Sequence, residues 1–555
     1  MTGRGPDEAN ARGLPNATEE NQMKTTRRGF VQGGLATGAL VAAPATIRAQ
    51  TTPSAARTIR AVLHGDLRVF DPIWTTANMT SYHAGMVYDT LFGVNDKYEP
   101  QPQMISKWSL SDDRKTYNFE LRDGLRFSDG TPVTAKDCVA SIRRWGARDG
   151  GGQHMMARLA DTPVKDDKTF QIVMKEPYGL VVEWLAKAAT NVCYIMREKE
   201  AGTDPNQQIS TILGSGPFLF NEGAVVQGQR YVYDKNPNYV PRSEPAVFTS
   251  GGKVVNVDRV VFENIADEAT AIAAIRAGEI DMIEYPNVDL LDSLAGEKDI
   301  KLEVLNKQGQ LGWCRVNWLH PPFNNVKARQ AMLHLIHPTE VMKATFGDEK
   351  YFRGCSSLFG MGTPMENDAN IDWFKTAPNM EKAKQLVKES GYDGRPVVVL
   401  QATNIAYMNN AANLIAQWMR QAGFNVSLQA SDWGAVITRR AVKAAPDQGG
   451  WNVFFTSGSV NAFGNPVSLS GHAANGEKGW FGWPSNEKHE QLRDKWAAAQ
   501  TDAERKQIAR DIQQNAWDFV PHAYYGQWFQ PAALRNLTGL IGMPELIPFW
   551  NVKKG

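Results

Sequence analysis

An α/β chain folded as two lobes is what the sequence predicts, and three features predict it. At 555 residues the chain exceeds what one hydrophobic core usually fills. Two strand–helix–strand patterns, at 257–283 and 397–428, stand more than a hundred residues apart. An apolar content of 42% with 21% charged residues belongs to a packed globular protein, which excludes a disordered chain.

Near the start, Thr26-Arg27-Arg28-Gly29-Phe30 is a twin-arginine pattern, followed by an apolar run from Gly33 to Ile47. That run is shorter than the roughly 20 residues a membrane-spanning helix needs. Small residues close it, with Ala43-Pro44-Ala45 and Ile47-Arg48-Ala49 as candidate cleavage sites, and Met23 is an alternative start. Residues 1–49 therefore read as a Tat leader that sends a folded protein to the periplasm. Without them, 54 basic residues stand against 55 acidic ones, which leaves no electrostatic footprint for nucleic acid or an anionic membrane. Cys138, Cys193, Cys314 and Cys355 form no C-x-x-C, so zinc is not indicated; they allow three pairings, among which the sequence does not choose.

Along the mature chain, Thr58 to Leu63 suits a first strand ending at His64-Gly65-Asp66, and Ile73 to Tyr82 reads as a polar, aromatic loop. Tyr117, Phe119 and Leu121 alternate with Asn118, Glu120 and Arg122, the period of a half-buried strand. Asp123-Gly124 is a two-residue turn after which Leu125 and Phe127 resume the alternation, so a hairpin is expected there. Asp129-Gly130 makes a second turn. Thr134 and Asp137 then form a capping box that opens a helix carrying Val139 and Ile142. Arg148 to Gly152 is a loop by composition, and His154-Met155-Met156 reads as helical core rather than a soft-metal site.

Val257 to Ile265 reads as a strand, Asp267 caps a helix carrying Ile272 and Ile275, and Gly278 stops it before a strand at Ile280 to Ile283. Strand–helix–strand implies a right-handed crossover between parallel strands. In the second unit, Val397 to Leu400 is a strand, and Leu414, Ile415, Trp418 and Met419 share one helical face. Gly423 ends that helix, and Phe424, Val426 and Leu428 alternate as a strand. The stretch from Trp313 to Arg329 divides the two units.

An ordered series of motifs runs through these elements. It begins with Trp108, the acidic pair Asp112-Asp113 before Lys115-Thr116-Tyr117 and Phe119, Leu121-Arg122, Gly124, Phe127, Asp129-Gly130, and Ala135 with Asp137. It continues with Gly214-Ser215-Gly216-Pro217-Phe218, Asn236 with Tyr239, and Ala277-Gly278-Glu279-Ile280-Asp281. Asn317, Pro321-Pro322-Phe323, Val326 to Ala331, and the helix from Met380 to Ser390 before Gly391-Tyr392 complete it. The series resembles the extracytoplasmic solute-binding proteins of ABC importers, family 5, of the oligopeptide, dipeptide and nickel type. The likeness runs from about residue 58 to 550. It departs at His337-Pro338, where many members carry Asp-Arg, and in the 240–256 loop, an insertion relative to shorter members.

The resemblance implies a two-lobed periplasmic-binding-protein-like fold, type II of the large cluster, with an inserted subdomain and a hinge between lobes; it also puts a helix at Val87 to Leu91. The expected parts are the leader at 1–49, lobe I at 50–93, 209–308 and 519–555, the inserted subdomain at 94–208, and lobe II at 309–518. It further implies a monomeric receptor, not an enzyme, with neither cofactor nor metal. Such a receptor captures a small-molecule or short-peptide ligand between its lobes and delivers it to an inner-membrane ABC permease and its ATPase subunits.

On that resemblance the cleft is lined by Trp74 and Tyr82 from the first lobe and by Asn404 and Tyr407 from the loop after 397–400. Phe455, Ser457, Ser459, Asn461 and Phe463 line it from the segment after Trp451. Peptide-binding members pair the ligand's ammonium with an Asp in that last segment, yet Trp451 to Gly476 holds no Asp or Glu, and Asn461 or Asn465 stands in that region. The Arg that takes a peptide carboxylate is absent from 401–407 as well. An amide cannot supply the charge a buried ammonium needs. The expected ligand is therefore neutral or hydroxyl-rich, a modified peptide or an opine-like compound, rather than a free-amino peptide held in the usual way.

Two alternatives stand beside this reading. His472 lies near the cleft segment, as in nickel-type members, which allows a receptor of the same fold for a metal chelate or haem. A Tat-exported enzyme is the other, but the chain carries no H-E-x-x-H, no G-x-S-x-G and no C-x-x-C-H.

Overall fold

The computed structural model describes residues 54–499, 501–544 and 546–555; the leader and its candidate cleavage sites lie outside the described residues. Two sheets form the frame. The first orders its seven strands as Ile300–Glu303, Ala532–Arg535, Met282–Ile283, Thr58–Val62, Arg259–Glu263, Arg230–Lys235 and Phe218–Phe220. Thr58–Val62 pairs in parallel with Arg259–Glu263 on one side and Met282–Ile283 on the other. The helix Glu268–Ala277 makes that crossover. Asp267 accepts the Thr270 N–H at its start, Ile272 and Ile275 are buried, and Gly278 ends it.

The second sheet orders six strands as Phe352–Arg353, His522–Trp528, Gln310–Val316, Val453–Ser459, Val397–Ala402 and Val426–Ser431. Its last two strands pair in parallel through the helix Ala406–Gln421, which buries Ile415 and Met419. The boundary expected at 519 is corrected here. His522–Trp528 is still a strand of the second sheet, antiparallel to Gln310–Val316, and the chain returns to the first sheet only at Ala532–Arg535. The two sheets are thus joined by two short crossings, 304–309 and 529–531.

A four-stranded sheet of Ile105–Leu110, Thr116–Leu121, Thr169–Met174 and Leu159–Asp161 stands apart from both. Tyr117, Phe119 and Leu121 are buried in alternation. Their hairpin partner is the preceding strand Ile105–Leu110, not Leu125 and Phe127. Those two belong instead to a tight loop closed by hydrogen bonds from the Phe127 N–H to the Thr131 carbonyl and from the Val133 N–H to the Leu125 carbonyl. The capping box forms between Thr134 and Asp137 at the start of the helix Ala135–Gly146. The glycine run expected as a loop opens a second helix, Gly150–Arg158, capped by Asp149. A Cβ at Gly151 would lie 2.6 Å from the Trp184 ring and one at Gly152 2.8 Å from Gly146 Cα, so the glycines serve close packing.

Helix Asn78–Val87 occupies part of the expected loop and ends where a helix was expected to run, at Val87 to Leu91. The four-stranded part is tied to the first lobe by a buried ion pair, Arg144 donating to Asp71 at 3.0 and 2.7 Å. It meets the second lobe where His154 and Arg158 approach Asp494 at 3.0 and 3.4 Å. All four cysteines are buried and unpaired.

Candidate functional site

Open α/β sheets bind ligands outside the carboxyl ends of their parallel strands. In the first lobe two such strands end at Val62 and Ile283, which puts His64, Glu284 and Tyr285 just beyond them. Glu284 is only 2% exposed. Its carboxylate accepts the His64 backbone N–H at 2.9 Å, His64 Nδ1 at 2.8 Å and the Tyr82 hydroxyl at 2.6 Å. Burial pushes the Glu284 carboxyl up, but the charge of His64 and the hydrogen bonds from His64 and Tyr82 outweigh it and hold the group below the ordinary carboxylate range. Burial likewise pushes the His64 imidazole down, and the charge and hydrogen bond of Glu284 outweigh that, leaving it raised. The two therefore ionise as a pair.

A cavity opens beside this pair. Tyr82, Glu284 and Tyr285 line it from the first lobe. Asn306, Gly309, Gln310, Trp528 and Gln530 line it from the two crossings and the strand ends beside them. Gly309 has φ +82°, and a Cβ there would stand 2.4 Å from the Trp528 carbonyl oxygen, so the crossings can touch only with glycine at this position. A further cavity shares Met543 and Leu546 with the first and holds the buried Lys253, paired with Asp89 at 2.7 Å.

On the second-lobe side, the Tyr407 ring lies 4.7 Å from that of Trp528. Its hydroxyl shares a 3.2 Å hydrogen bond with Ser457 Oγ, and burial pushes the phenol up to about 12. Asn306 Nδ2 donates to Ser459 Oγ at 3.3 Å beside the crossing. Asn404 is exposed, and its Oδ1 accepts the Trp433 N–H at 2.8 Å where the helix Trp433–Arg439 begins. A Cβ at Gly434 in that helix would lie 2.3 Å from Arg68 Nη1, so the lobes meet there.

Of the residues expected in the cleft, Tyr82 lines the cavity; Tyr407, Ser457 and Ser459 do not, although Tyr407 packs on the lining Trp528 and bonds Ser457, and Ser459 accepts from the lining Asn306. The structure corrects two others. Phe455 is 2% exposed and packs edge-on to Tyr525, and Phe463 is fully buried against Trp313, His472 and Tyr524. Both are core of the second lobe: Phe455 sits in the run Val453 to Thr456, every residue of which is buried, and Phe463 ends the short helix Val460–Phe463 packed beneath it. Trp74 carries the Arg148 guanidinium at 5.1 Å and is absent from the cavity wall, as are Asn404 and the half-buried Asn461. Asn465 spends its Oδ1 on the Val467 and Ser468 N–H groups. His472 is packed in the core with its Nε2 3.1 Å from the Phe463 carbonyl, and burial pushes it down to about 3. Among the described residues no three His, Cys, Asp or Glu side chains are grouped to hold a metal ion.

Glu284, His64, Tyr285 and Trp528 escape the sequence reading. The first three could have been found, since both parallel strands were legible and these residues follow their carboxyl ends. Trp528 could not, because its position depends on the strand exchange at the second crossing.

Comparison with known proteins places the chain in a family. The family model described as bacterial extracellular solute-binding proteins, family 5 Middle, matches residues 99–480. A probable peptide ABC transporter periplasmic-binding protein of Sinorhizobium fredii is 46% identical over 536 residues, covering 96% of this chain and 100% of that protein. The dipeptide-binding protein DppE of Bacillus subtilis is 25% identical over 453 residues, covering 76% of this chain and 78% of that one. Among solved structures, AgaA of A. tumefaciens in complex with agropinic acid has a TM-score of 0.75 at 20% identity, covering 90% of this chain and 99% of that one. DppA of Helicobacter pylori in complex with a peptide has a TM-score of 0.73 at 18% identity, covering 90% and 98%. These two structures share the two-lobed fold. With the family model spanning most of the chain and a relative 46% identical along nearly its whole length, the chain belongs to family 5 of the bacterial extracellular solute-binding proteins, which are substrate-binding receptors.

Proposed function

We propose that this receptor takes a peptide-like or other small polar solute into the cavity at its lobe crossing and delivers it to an inner-membrane ABC permease and its ATPase subunits. The observation that carries the reading is that one cavity draws its wall from the first lobe, from both crossings and from the end of a second-lobe strand. Movement of one lobe against the other changes such a cavity directly. The relative named as a peptide ABC transporter periplasmic-binding protein supports a peptide as the solute. Tyr82, Tyr407, Ser457 and Ser459 contribute to the site. The receptor acts as a monomer. It works in the periplasm after export by the twin-arginine route.

The test is a thermal-shift screen of the dialysed mature protein against pools of two- to five-residue peptides. A ligand at a hundred times its Kd stabilises the native state by about 2.7 kcal/mol. Stabilisation by no peptide pool would overturn the peptide reading, and consumption of the peptide during incubation would overturn the receptor reading. Replacing Arg27 and Arg28 by lysine keeps the precursor in the cytoplasm if export uses the twin-arginine route; unchanged export would overturn that part.

A further inference from the structure

We propose that the cavity at the lobe crossing is a cation subsite, in which Glu284 takes an ammonium or guanidinium group of the solute beside the rings of Tyr82 and Tyr285. The proposal rests on the receptor reading and names the chemistry of the same site.

The charge of the cavity carries the argument first. Among its described lining residues Glu284 is the one ionic side chain; the other polar groups are the amides of Asn306, Gln310 and Gln530 and two tyrosines. His64, the counter-charge of Glu284, is not part of the wall, so the ion pair turns its negative end to the cavity. Hydrogen-bond capacity carries it next. A carboxylate offers about four acceptor positions. Oε2 takes both bonds from His64, and Oε1 takes the one from Tyr82, which leaves a position on Oε1. The walls complete it. Tyr rings attract a cation through their ring quadrupole, most strongly where water is excluded. A carboxylate flanked by Tyr82 and Tyr285 in the same wall suits a positively charged group better than a neutral or anionic one.

This placement also answers the missing carboxylate of the second lobe. Trp451 to Gly476 carries no Asp or Glu, and Asn465 is spent on its own turn. The counter-charge for an ammonium comes instead from the first lobe, through the residue that follows the strand Met282–Ile283.

The test compares the mature wild-type protein with Glu284→Gln, and as an independent variant Gln530→Lys, which places an ammonium in the same cavity. Each is titrated with free-amino tripeptides, with the same tripeptides N-acetylated, and with agmatine as a non-peptide cation. The expected result is binding of free-amino tripeptides that weakens roughly 10- to 100-fold on acetylation and by a similar factor in both variants, the worth of a charged hydrogen bond. Equal binding of free and acetylated peptides, unchanged in folded Glu284→Gln or Gln530→Lys protein, would overturn the cation subsite and leave the receptor reading standing. Binding of agmatine alone, lost in the variants, would support the subsite and overturn the peptide reading. Binding of none of the three by wild type would overturn both.

Discussion

Asp71 and Glu284 are two buried carboxylates of the first lobe, 1% and 2% exposed, and they serve different ends. Asp71 accepts two bonds from Arg144 and one each from the backbone N–H groups of Ile73 and Ile209. Its four acceptor positions are full. Arg144 is occupied too, donating to the carbonyls of Thr203 and Gln207. The pair holds three stretches of chain together and faces no cavity among those described. Glu284 has three bonds, a histidine partner and an open side. Burial alone therefore does not separate a structural acid from a binding one. The number of acceptors left, and what they face, does.

The contrast can be broken by mutation. The largest effect is expected for Asp71→Ala, which strands Arg144 as an unpaired buried charge and costs about 3–5 kcal/mol in denaturant unfolding. Ligand affinity of the molecules that remain folded should not change; retained stability would erase the distinction. Phe455→Ala should cost a similar amount, about 3–5 kcal/mol, as a cavity in the second-lobe core. A large loss of affinity with little loss of stability would instead return Phe455 to the cleft.

Glu284→Gln should cost less, roughly 1–3 kcal/mol, as loss of a charged hydrogen-bond partner. This cost depends on pH with a definite sign. His64, raised above its ordinary 6.5, contributes fully below 6.5 and loses its contribution as pH rises through the raised value. Glu284, held below its ordinary 4.5, contributes fully above 4.5 and loses its contribution as pH falls through the lowered value. The stability gap between wild type and Glu284→Gln should therefore be widest between about 4.5 and 6.5 and narrow on both sides, as measured by denaturant unfolding across pH. A gap flat with pH would dissolve the pair. The smallest effect is Tyr407→Phe, which removes the bond to Ser457 and should cost about 0.5–1.5 kcal/mol.

Local signals made much of the frame legible. Asp267, Ile272, Ile275 and Gly278 announced a capped amphipathic helix, and Thr134 with Asp137 announced another. Helix Asn78–Val87 was illegible because Met79 to Val87 are all buried, so no polar face marks a period. Helix Gly150–Arg158 was illegible because glycines that permit close packing look like glycines that make a turn. The late strand His522–Trp528 finds its partner Gln310–Val316 some two hundred residues away, and nothing local names that partner. Phe455 and Phe463 show the limit for sites: a buried aromatic residue has the same sequence signature as one on a cleft wall. Glu284 was hidden in plain view, one residue past a strand whose direction was already known.

The two crossings have a mechanical consequence. They are short, they lie side by side, and Gly309 brings them into contact. Adjacent straps between two stiff sheets leave one soft motion, a swing about the line through the straps, and points near that line travel least. Glu284, Trp528 and the cavity between them sit at this fulcrum. Contacts between separate parts of the chain, Arg68 against Gly434 and His154 and Arg158 against Asp494, are where the swing is felt. On the proposed reading, a solute at the fulcrum meets two walls that turn against each other as the lobes swing, while the longer displacements fall at those outer contacts.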